Sequence, residues 1–365
     1  MPSHDPYAAI RRSDFRRILL SYGTSTVARE GQIVVVGWQV YAATNDPLAL
    51  GLIGLAEALP FIAVALYAGH IADKLSRRTI AMAGTFGMLL SAIALLIFTL
   101  QPHVFIHGRI WPIYLVIFLS GIARSFTRPA MTALSADVVP RELFPNAVAW
   151  RTSTWQFAAV VGPALGGLLY GFSGPALAYA VVSGLMVIAL IGIWMVTHNA
   201  PPAAPEQPMS MSESLSAGVR FVWSQPVILA AMSLDLFSVL FGGATALLPI
   251  FAKLLRVGPQ GLGVLRAAPA VGSVVMGLWI AHRPPMRRAG PALFACVALF
   301  GLSMIGFALS TNFWLSLALL TFSGMADNVS VVIRGTLVQT MTPEHLLGRV
   351  SAVNQIFIGS SNEIG

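Results

Sequence analysis

The sequence predicts an all-α integral membrane protein, and three observations carry that prediction. Hydrophobic residues make up 56% of the 365 residues and charged residues only 10%, whereas about 25% of an average soluble domain is charged. The mean hydropathy is +0.76. Apolar stretches of bilayer-spanning length, about 20 residues each, recur along the whole chain. A water-soluble globular fold is therefore excluded, because too little polar surface remains to cover one.

Short polar segments divide the chain into predicted membrane spans. Residues 152–205 contain no Asp, Glu, Lys or Arg and are long enough for two spans joined by a turn at Ser173-Gly174-Pro175. A further apolar segment begins near Leu347 and the sequence stops at Gly365, which predicts a bundle truncated in its eleventh helix. The preceding spans are predicted near 14–42, 48–71, 79–100, 112–134, 146–171, 176–197, 227–251, 262–282, 290–310 and 313–336.

Basic residues favour one side of these spans. The connections on the opposite side hold only Arg109, Lys253 and Arg256, while most other Lys and Arg residues fall on the side of the N-terminus. Because short cytoplasmic loops carry the excess of Lys and Arg, we expect a multi-pass protein of the plasma (inner) membrane with a cytoplasmic N-terminus. The net charge of +8 is spread along the chain, so we expect no nucleic-acid partner.

The connection after the sixth span predicts two halves. Residues 199–208 are rich in Pro and Ala, which is typical of a flexible linker, and residues 210–223 place apolar side chains on one face, as in an interfacial helix. We therefore predict an N-terminal bundle over 1–197, a cytoplasmic linker over 198–225 and an incomplete C-terminal bundle over 226–365.

A weak internal repeat supports two related halves. An offset of 203 residues aligns Gly121 with Gly324 and Pro140 with Pro343, among other identities. Internal repeats of this kind are common in secondary transporters.

Charged residues inside the predicted spans are the candidate functional residues, because each costs several kcal/mol unless it faces a wet cavity or a partner. Asp235 lies about 12 Å into its helix, near the midplane, and Glu57 has a similar depth. Arg124 and Asp327 align under the repeat, so their opposite charges are candidates to face each other across a cavity. The alternative for each residue is a structural ion pair. The candidate substrate and proton site comprises Glu30, Glu57, Arg124, Asp235 and Asp327.

The segment Gly69-His-Ile-Ala-Asp73-Lys74-Leu-Ser-Arg77-Arg78 joins the second and third spans. A small residue lets helices approach, a carboxylate at a helix end can face the positive N-terminus of a neighbour, and loop arginines can pair with the next acidic residue, Asp137. The spacing resembles the signature loop of the major facilitator superfamily, except that Ser76 stands where the family usually has Gly. The alternative is that these basic residues only set the topology.

That resemblance implies the major facilitator fold, with two pseudo-symmetric six-helix bundles in which the third, sixth, ninth and twelfth helices are peripheral. It also implies a conformational latch that holds the two bundles in the outward-facing state. The latch residues would be Gly69, Asp73, Arg77, Arg78 and Asp137.

The fifth span contains Gly162-Pro163-Ala-Leu-Gly166-Gly167, which resembles the Gly-Pro-xx-Gly-Gly motif of antiporters in the superfamily. Glycines four residues apart remove bulk from one helix face, and a proline bends the helix, so a neighbouring helix can pack closely and pivot. Simple close packing in a membrane bundle is the alternative interpretation.

Three further segments, Gly37–Tyr41, Gly121–Ala130 and Leu234–Phe237, are similar to the enterobactin-exporter-like, drug:proton antiporter subgroup. The resemblance implies a monomeric secondary active transporter that exports an amphipathic small molecule, drug-like or siderophore-like, by proton antiport with alternating access in the lipid bilayer. Proton-coupled import or facilitated passage stays open, and so does a non-transporting membrane sensor or scaffold.

Several chemistries lack their sequence motifs. The chain has no phosphate-binding Gly-x-x-x-x-Gly-Lys-[Ser/Thr] loop, no dinucleotide-binding Gly-x-Gly-x-x-Gly after a strand and no His-Glu-x-x-His pair. Its single cysteine, Cys296, cannot form an intrachain disulfide. We therefore expect a protein that is not an enzyme and needs no metal or cofactor.

Overall fold

A computed structural model of the chain describes residues 5–74, 76–101, 110–197, 211–242, 245–282, 289–343, 346, 349–350, 353–354 and 357. Within these ranges, only the backbone is described for residues 62, 65–74, 211–215, 241, 245 and 281. The described residues are mostly helical and include no strand, in agreement with the predicted all-α class. The helices are α1 (Ser13–Thr44), α2 (Pro47–Lys74), α3 (Arg77–Leu100), α4 (Trp111–Asp137), a stretch over Phe144–Trp194, α7 (Met211–Ser224), α8 (Pro226–Gly242), α9 (Leu248–Leu254), α10 (Gly258–Ala281), α11 (Ala289–Leu309) and α12 (Phe313–Met341).

The stretch over Phe144–Trp194 consists of two helices that meet at Gly174, which we label α5 (144–173) and α6 (175–194). Gly174 has φ 82° and ψ 173°, a backbone conformation that residues with a Cβ avoid. Pro175 follows at the first position of α6, where its fixed φ suits a helix start. The turn predicted at Ser173-Gly174-Pro175 is thus confirmed.

Polar residues set other helix ends. Asn45 ends α1 in the left-handed conformation, with φ 51°, and its N–H donates to the Tyr41 carbonyl oxygen at 2.9 Å. Asn312 begins α12 by accepting hydrogen bonds from the N–H groups of Trp314 and Leu315. The Asn312 side chain thus satisfies helix-start N–H groups that have no partner within the helix, whereas Asn45 uses its backbone N–H and tolerates the left-handed conformation at the helix end.

Each of the ten predicted spans contains helix, but the predicted seventh span is not one continuous helix. It comprises α8 and α9, with the 3₁₀ turn Thr245–Leu247 directly before α9. The predicted eleventh span, beginning near Leu347, lies largely outside the described residues.

By length and hydropathy alone, five described helical segments are able to cross a membrane, or six if the bent pair 216–224 and 226–240 is one span. Neither α1 nor α4 is among them. Both carry arginines within the helix, which is typical of helices that face a polar interior rather than lipid.

The chain divides into two compact units. The first comprises Met1–Ala204 together with Pro249–Ala267, and the second comprises Pro205–Leu248 and Ala268–Gly365. The predicted boundaries at 197 and 225 stay a prediction.

In the first unit, α1 packs along α5 and α6, while α2 and α3 pack against α4. A buried hydrogen-bond chain crosses its apolar core. The Tyr179 hydroxyl of α6 donates to Gln39 Oε1 of α1 at 2.8 Å, and Gln39 Nε2 donates to Thr99 Oγ1 of α3 at 3.0 Å. Tyr179 is fully buried, so this chain satisfies polar groups that would be costly to leave unpaired.

In the second unit, α11 packs against α12, and α8 contacts both of them as well as α7. The helix predicted over residues 210–223 is present as α7. Residues 216–224 of α7 meet residues 226–240 of α8 at a bend of 103°. Val222 of α7 is buried among Ile228 and Met232 of α8 and Val338 of α12.

Candidate functional site

The first unit contains a partly buried cluster of four charged side chains from three helices. Glu57 Oε1 of α2 accepts hydrogen bonds from Arg29 Nη2 of α1 at 3.0 Å and from Arg124 Nη1 of α4 at 2.8 Å. Arg29 Nη1 also donates to Glu30 Oε1 at 2.7 Å. The four side chains are 14% to 27% exposed. Two guanidinium groups balance two carboxylates, so the cluster is neutral when all four groups are charged.

Close packing of α2 and α4 brings these charges together. A Cβ on Gly121 of α4 would lie 2.6 Å from the Glu57 carbonyl oxygen, so the helices approach this closely only because position 121 has no side chain. Gly121 stands one helical turn before Arg124, and the guanidinium of Arg124 lies 4.6 Å from the ring centre of Phe61 in α2. An arginine over an aromatic face gains a cation–π attraction.

The second unit contains an ion pair that is almost completely buried. Arg334 Nη1 of α12 contacts Asp235 Oδ1 of α8, with side-chain exposures of 3% and 7%. Asp327, two turns before Arg334 on α12, interacts electrostatically with both. This cluster has two acidic groups and one basic group.

The predicted site residues therefore fall into two groups. Glu30, Glu57 and Arg124 lie together in the first unit, and Asp235 and Asp327 lie together in the second. The pairing predicted between Arg124 and Asp327 stays a prediction, and each residue has the other neighbours described above.

Arg29 and Arg334 also lie inside predicted spans, 14–42 and 313–336, but neither is among the site residues predicted from the sequence. Arg29 donates hydrogen bonds to Glu30 and Glu57, and Arg334 contacts Asp235, so both arginines belong to the clusters. The spacing of Asp327 and Arg334 by seven residues, which places them on one helix face, was the available signal for Arg334. Phe61 had no such signal, because aromatic residues occur in most of the spans.

The candidate latch residues lie at the junction of α2 and α3. Arg77 Nη1 contacts Asp137 Oδ1 at the end of α4, as expected from the sequence, and Arg78 Nε donates to the Ile193 carbonyl oxygen at 3.4 Å. Gly69 and Asp73 belong to α2, where the structure describes only their backbone.

Serine at position 76 has a local structural role. Its φ is −55° and its side chain accepts a hydrogen bond from the Thr79 N–H at the start of α3. The backbone here does not require the glycine usual in the family, and serine is a preferred helix cap.

The glycines of the α5 motif face two neighbouring helices. On one side, a Cβ on Gly166 would lie 2.5 Å from the Gly31 carbonyl oxygen of α1, and one on Gly162 would lie 2.6 Å from Glu30 Cβ. On the other side, a Cβ on Gly167 would lie 2.8 Å from Gly263 Cα of α10. The motif thus permits close backbone contact on both faces, and on one of them it adjoins the charge cluster at Glu30.

The chain has paired charges inside helices that are otherwise apolar. This combination is typical of multi-pass membrane transporters, in which such charges line the solute pathway. The comparisons with known proteins agree with this class. The sequence profile of the Major Facilitator Superfamily matches residues 18–365, and the chain belongs to that superfamily.

Curated relatives include two proteins named enterobactin exporter EntS. The protein from Shigella boydii serotype 18 is 27% identical over 348 residues, covering 93% of this chain and 80% of the relative. The protein from Escherichia coli O1:K1 is 27% identical over 351 residues with the same coverage.

Solved structures share the fold. A bacterial homologue of the iron transporter ferroportin, in its inward-facing state, has a TM-score of 0.71 at 16% identity and covers 96% of this chain and 89% of that one. The POT family transporter PepTSo has a TM-score of 0.75 at 12% identity, and the match covers 96% of this chain and 88% of that one. The predicted major facilitator fold is confirmed.

Proposed function

We propose that this chain is a secondary active transporter that exports an amphipathic small molecule in exchange for protons, with alternating access, across the inner membrane. The single observation that carries the proposal is the pair of charge clusters within apolar helices. Charges at this position are costly in a membrane and are typical of substrate and proton pathways. The named relatives, both enterobactin exporters, support efflux of a siderophore-like or drug-like solute.

The remaining candidate residues take supporting roles in this proposal. Arg77 and Asp137, with Asp73, belong to a conformational latch on the cytoplasmic side, where the distribution of basic residues places the N-terminus. The glycine motif of α5 provides the close helix contact about which α1 shifts during transport. The protein acts as a monomer, with protons and one small-molecule substrate as its ligands.

The proposal is tested by transport in inverted membrane vesicles that contain the chain. A proton gradient, acid inside, should drive accumulation of enterobactin or of a fluorescent amphipathic dye, and an uncoupler should abolish that accumulation. Glu142→Gln, which removes an exposed carboxylate from the 3₁₀ turn Arg141–Leu143, is the control and should transport normally.

Three results would contradict the proposal. Uptake that ignores the proton gradient would indicate a facilitator, and accumulation driven by the opposite gradient would indicate import. Absence of any flux for a range of amphipathic solutes would favour a sensor or scaffold.

A further inference from the structure

The two charge clusters differ in their balance. In the first unit each carboxylate accepts a hydrogen bond from an arginine, and two guanidinium groups match two carboxylates. In the second unit Arg334 is paired with Asp235, which leaves the negative charge of Asp327 uncompensated. Since unbalanced charge is costly inside a membrane, the second cluster requires one more positive charge.

Four polar side chains of α12 lie on one face of that helix. Ser323, Asp327, Ser330 and Arg334 are spaced by four, three and four residues, which is the spacing of side chains stacked along a helix. Ser330 stands between Asp327 and Arg334, is only 3% exposed, and its Oγ has no hydrogen-bond partner. This face of α12 therefore holds a buried hydroxyl whose hydrogen bond the described protein does not supply.

Helices α8 and α11 and residues 268–281 of α10 supply no further described basic charge to balance Asp327. Helix α11 (Ala289–Leu309) and residues 268–281 of α10 contain no Asp, Glu, Lys, Arg or His, and the only charged residue of α8 is Asp235. Arg266 of α10 belongs to the first unit and has contacts of its own. The charged groups that act on Asp327 are therefore Asp235 and Arg334.

We infer that Asp327 is the carboxylate that binds the exchanged proton, and that Arg334 is a positioning residue whose pairing with Asp235 keeps Asp327 free to do so. The inference rests on the proposed antiport and specifies its proton site. A proton from water forms an O–H bond with an Asp327 carboxylate oxygen, and the three groups then sum to zero charge. Release breaks the same bond and returns the proton to water, with no oxidation or reduction.

The test is a pH titration of the purified chain followed by infrared difference spectroscopy, which detects the carbonyl stretch of a protonated carboxylic acid and needs no substrate. Asp327→Asn should remove a band that the wild type shows, and Asp327→Glu should keep it at a displaced frequency. Glu142→Gln, which removes an exposed carboxylate of the 3₁₀ turn Arg141–Leu143, should leave the band unchanged. A band that persists in Asp327→Asn, or one that disappears in Glu142→Gln, would overturn the assignment.

Arg334 is tested in the same experiment. Arg334→Gln leaves two carboxylates without a counter-ion, so a second protonated-acid band should appear, whereas Arg334→Lys keeps the charge and should restore the wild-type spectrum. In Asp235→Asn the arginine is released to pair with Asp327, so the band should require a lower pH. An unchanged spectrum in Arg334→Gln would refute the positioning role.

Transport separates this inference from the proposed function. In the vesicle assay Asp327→Asn should abolish the part of uptake that depends on the proton gradient, because the variant has no carboxylate at the proposed proton site. If the wild type shows the band but no proton-driven uptake, the antiport proposal fails and Asp327 remains a proton-binding residue. If the wild type couples to protons and Asp327→Asn has the same pH profile, the inference alone fails.

Discussion

Substitution of Gly166 by alanine is expected to separate α1 from α5 and to destabilise the first unit. The added Cβ would lie 2.5 Å from the Gly31 carbonyl oxygen and 2.8 Å from Gly31 Cα, whereas ordinary contact begins at 3.4 Å. The helices would therefore have to move by roughly 0.9 Å, because both obstructing atoms are backbone atoms that cannot rotate away. Overpacking of this kind costs about 1–3 kcal/mol.

Thermal or denaturant unfolding of the purified protein in detergent measures this cost. Gly184→Ala on α6 is the matched control, since nothing lies within 4 Å of a Cβ at that position. Alanine there should be neutral or should stabilise the helix by about 0.5–1 kcal/mol. If the two variants unfold at the same midpoint, close backbone contact does not limit the size of the side chain at position 166, and the reasoning is wrong.

Four other substitutions test the contacts of the first unit. Arg77→Gln and Asp137→Asn should each slow transport in the vesicle assay, and the double variant should be no slower than either single one; additive losses would show that the two side chains act separately. Glu57→Gln removes the carboxylate shared by two partly buried arginines and should lower the unfolding free energy by about 3–5 kcal/mol. A variant whose stability is within ~0.5 kcal/mol of wild type would contradict this value. Tyr179→Phe leaves a buried amide oxygen without its donor and should cost about 1–3 kcal/mol in unfolding; Tyr170→Phe is the control, and equal effects would exclude the hydrogen bond as the cause.

The fold could be predicted wherever local chemistry decides it. The break between α5 and α6 follows from Gly174 and Pro175, and the boundaries of most helices follow from polar residues that interrupt apolar stretches. The seventh predicted span is not one continuous helix. Mean hydropathy misses the break because it does not register which residues disfavour a helix. Gly242 and Pro249, which disfavour helix, were present inside that span but did not lower its hydropathy.

The candidate site could be predicted only in part. The cost of charge in a membrane identifies Glu57 and Asp235 from sequence alone, because it depends on depth along a helix. The partner of each charge depends on how the helices are rotated about their axes, which is set by distant packing such as the α2–α4 approach at Gly121. The selection of Arg29 therefore required the structure, whereas Arg334 had a sequence signal in its seven-residue spacing from Asp327.

The buried hydrogen bonds of Tyr179, Gln39 and Thr99 have a practical consequence for distance measurements. Because buried polar groups are costly to leave unpaired, these hydrogen bonds hold α1, α3 and α6 together near the ends of the helices where the three residues lie. A spin label on the accessible surface of α3 then reports the displacement of α1, whose own surface is crowded by its neighbours. Exposed positions such as Phe86 and Leu90 offer attachment points for such a reporter without disturbing the charged interior.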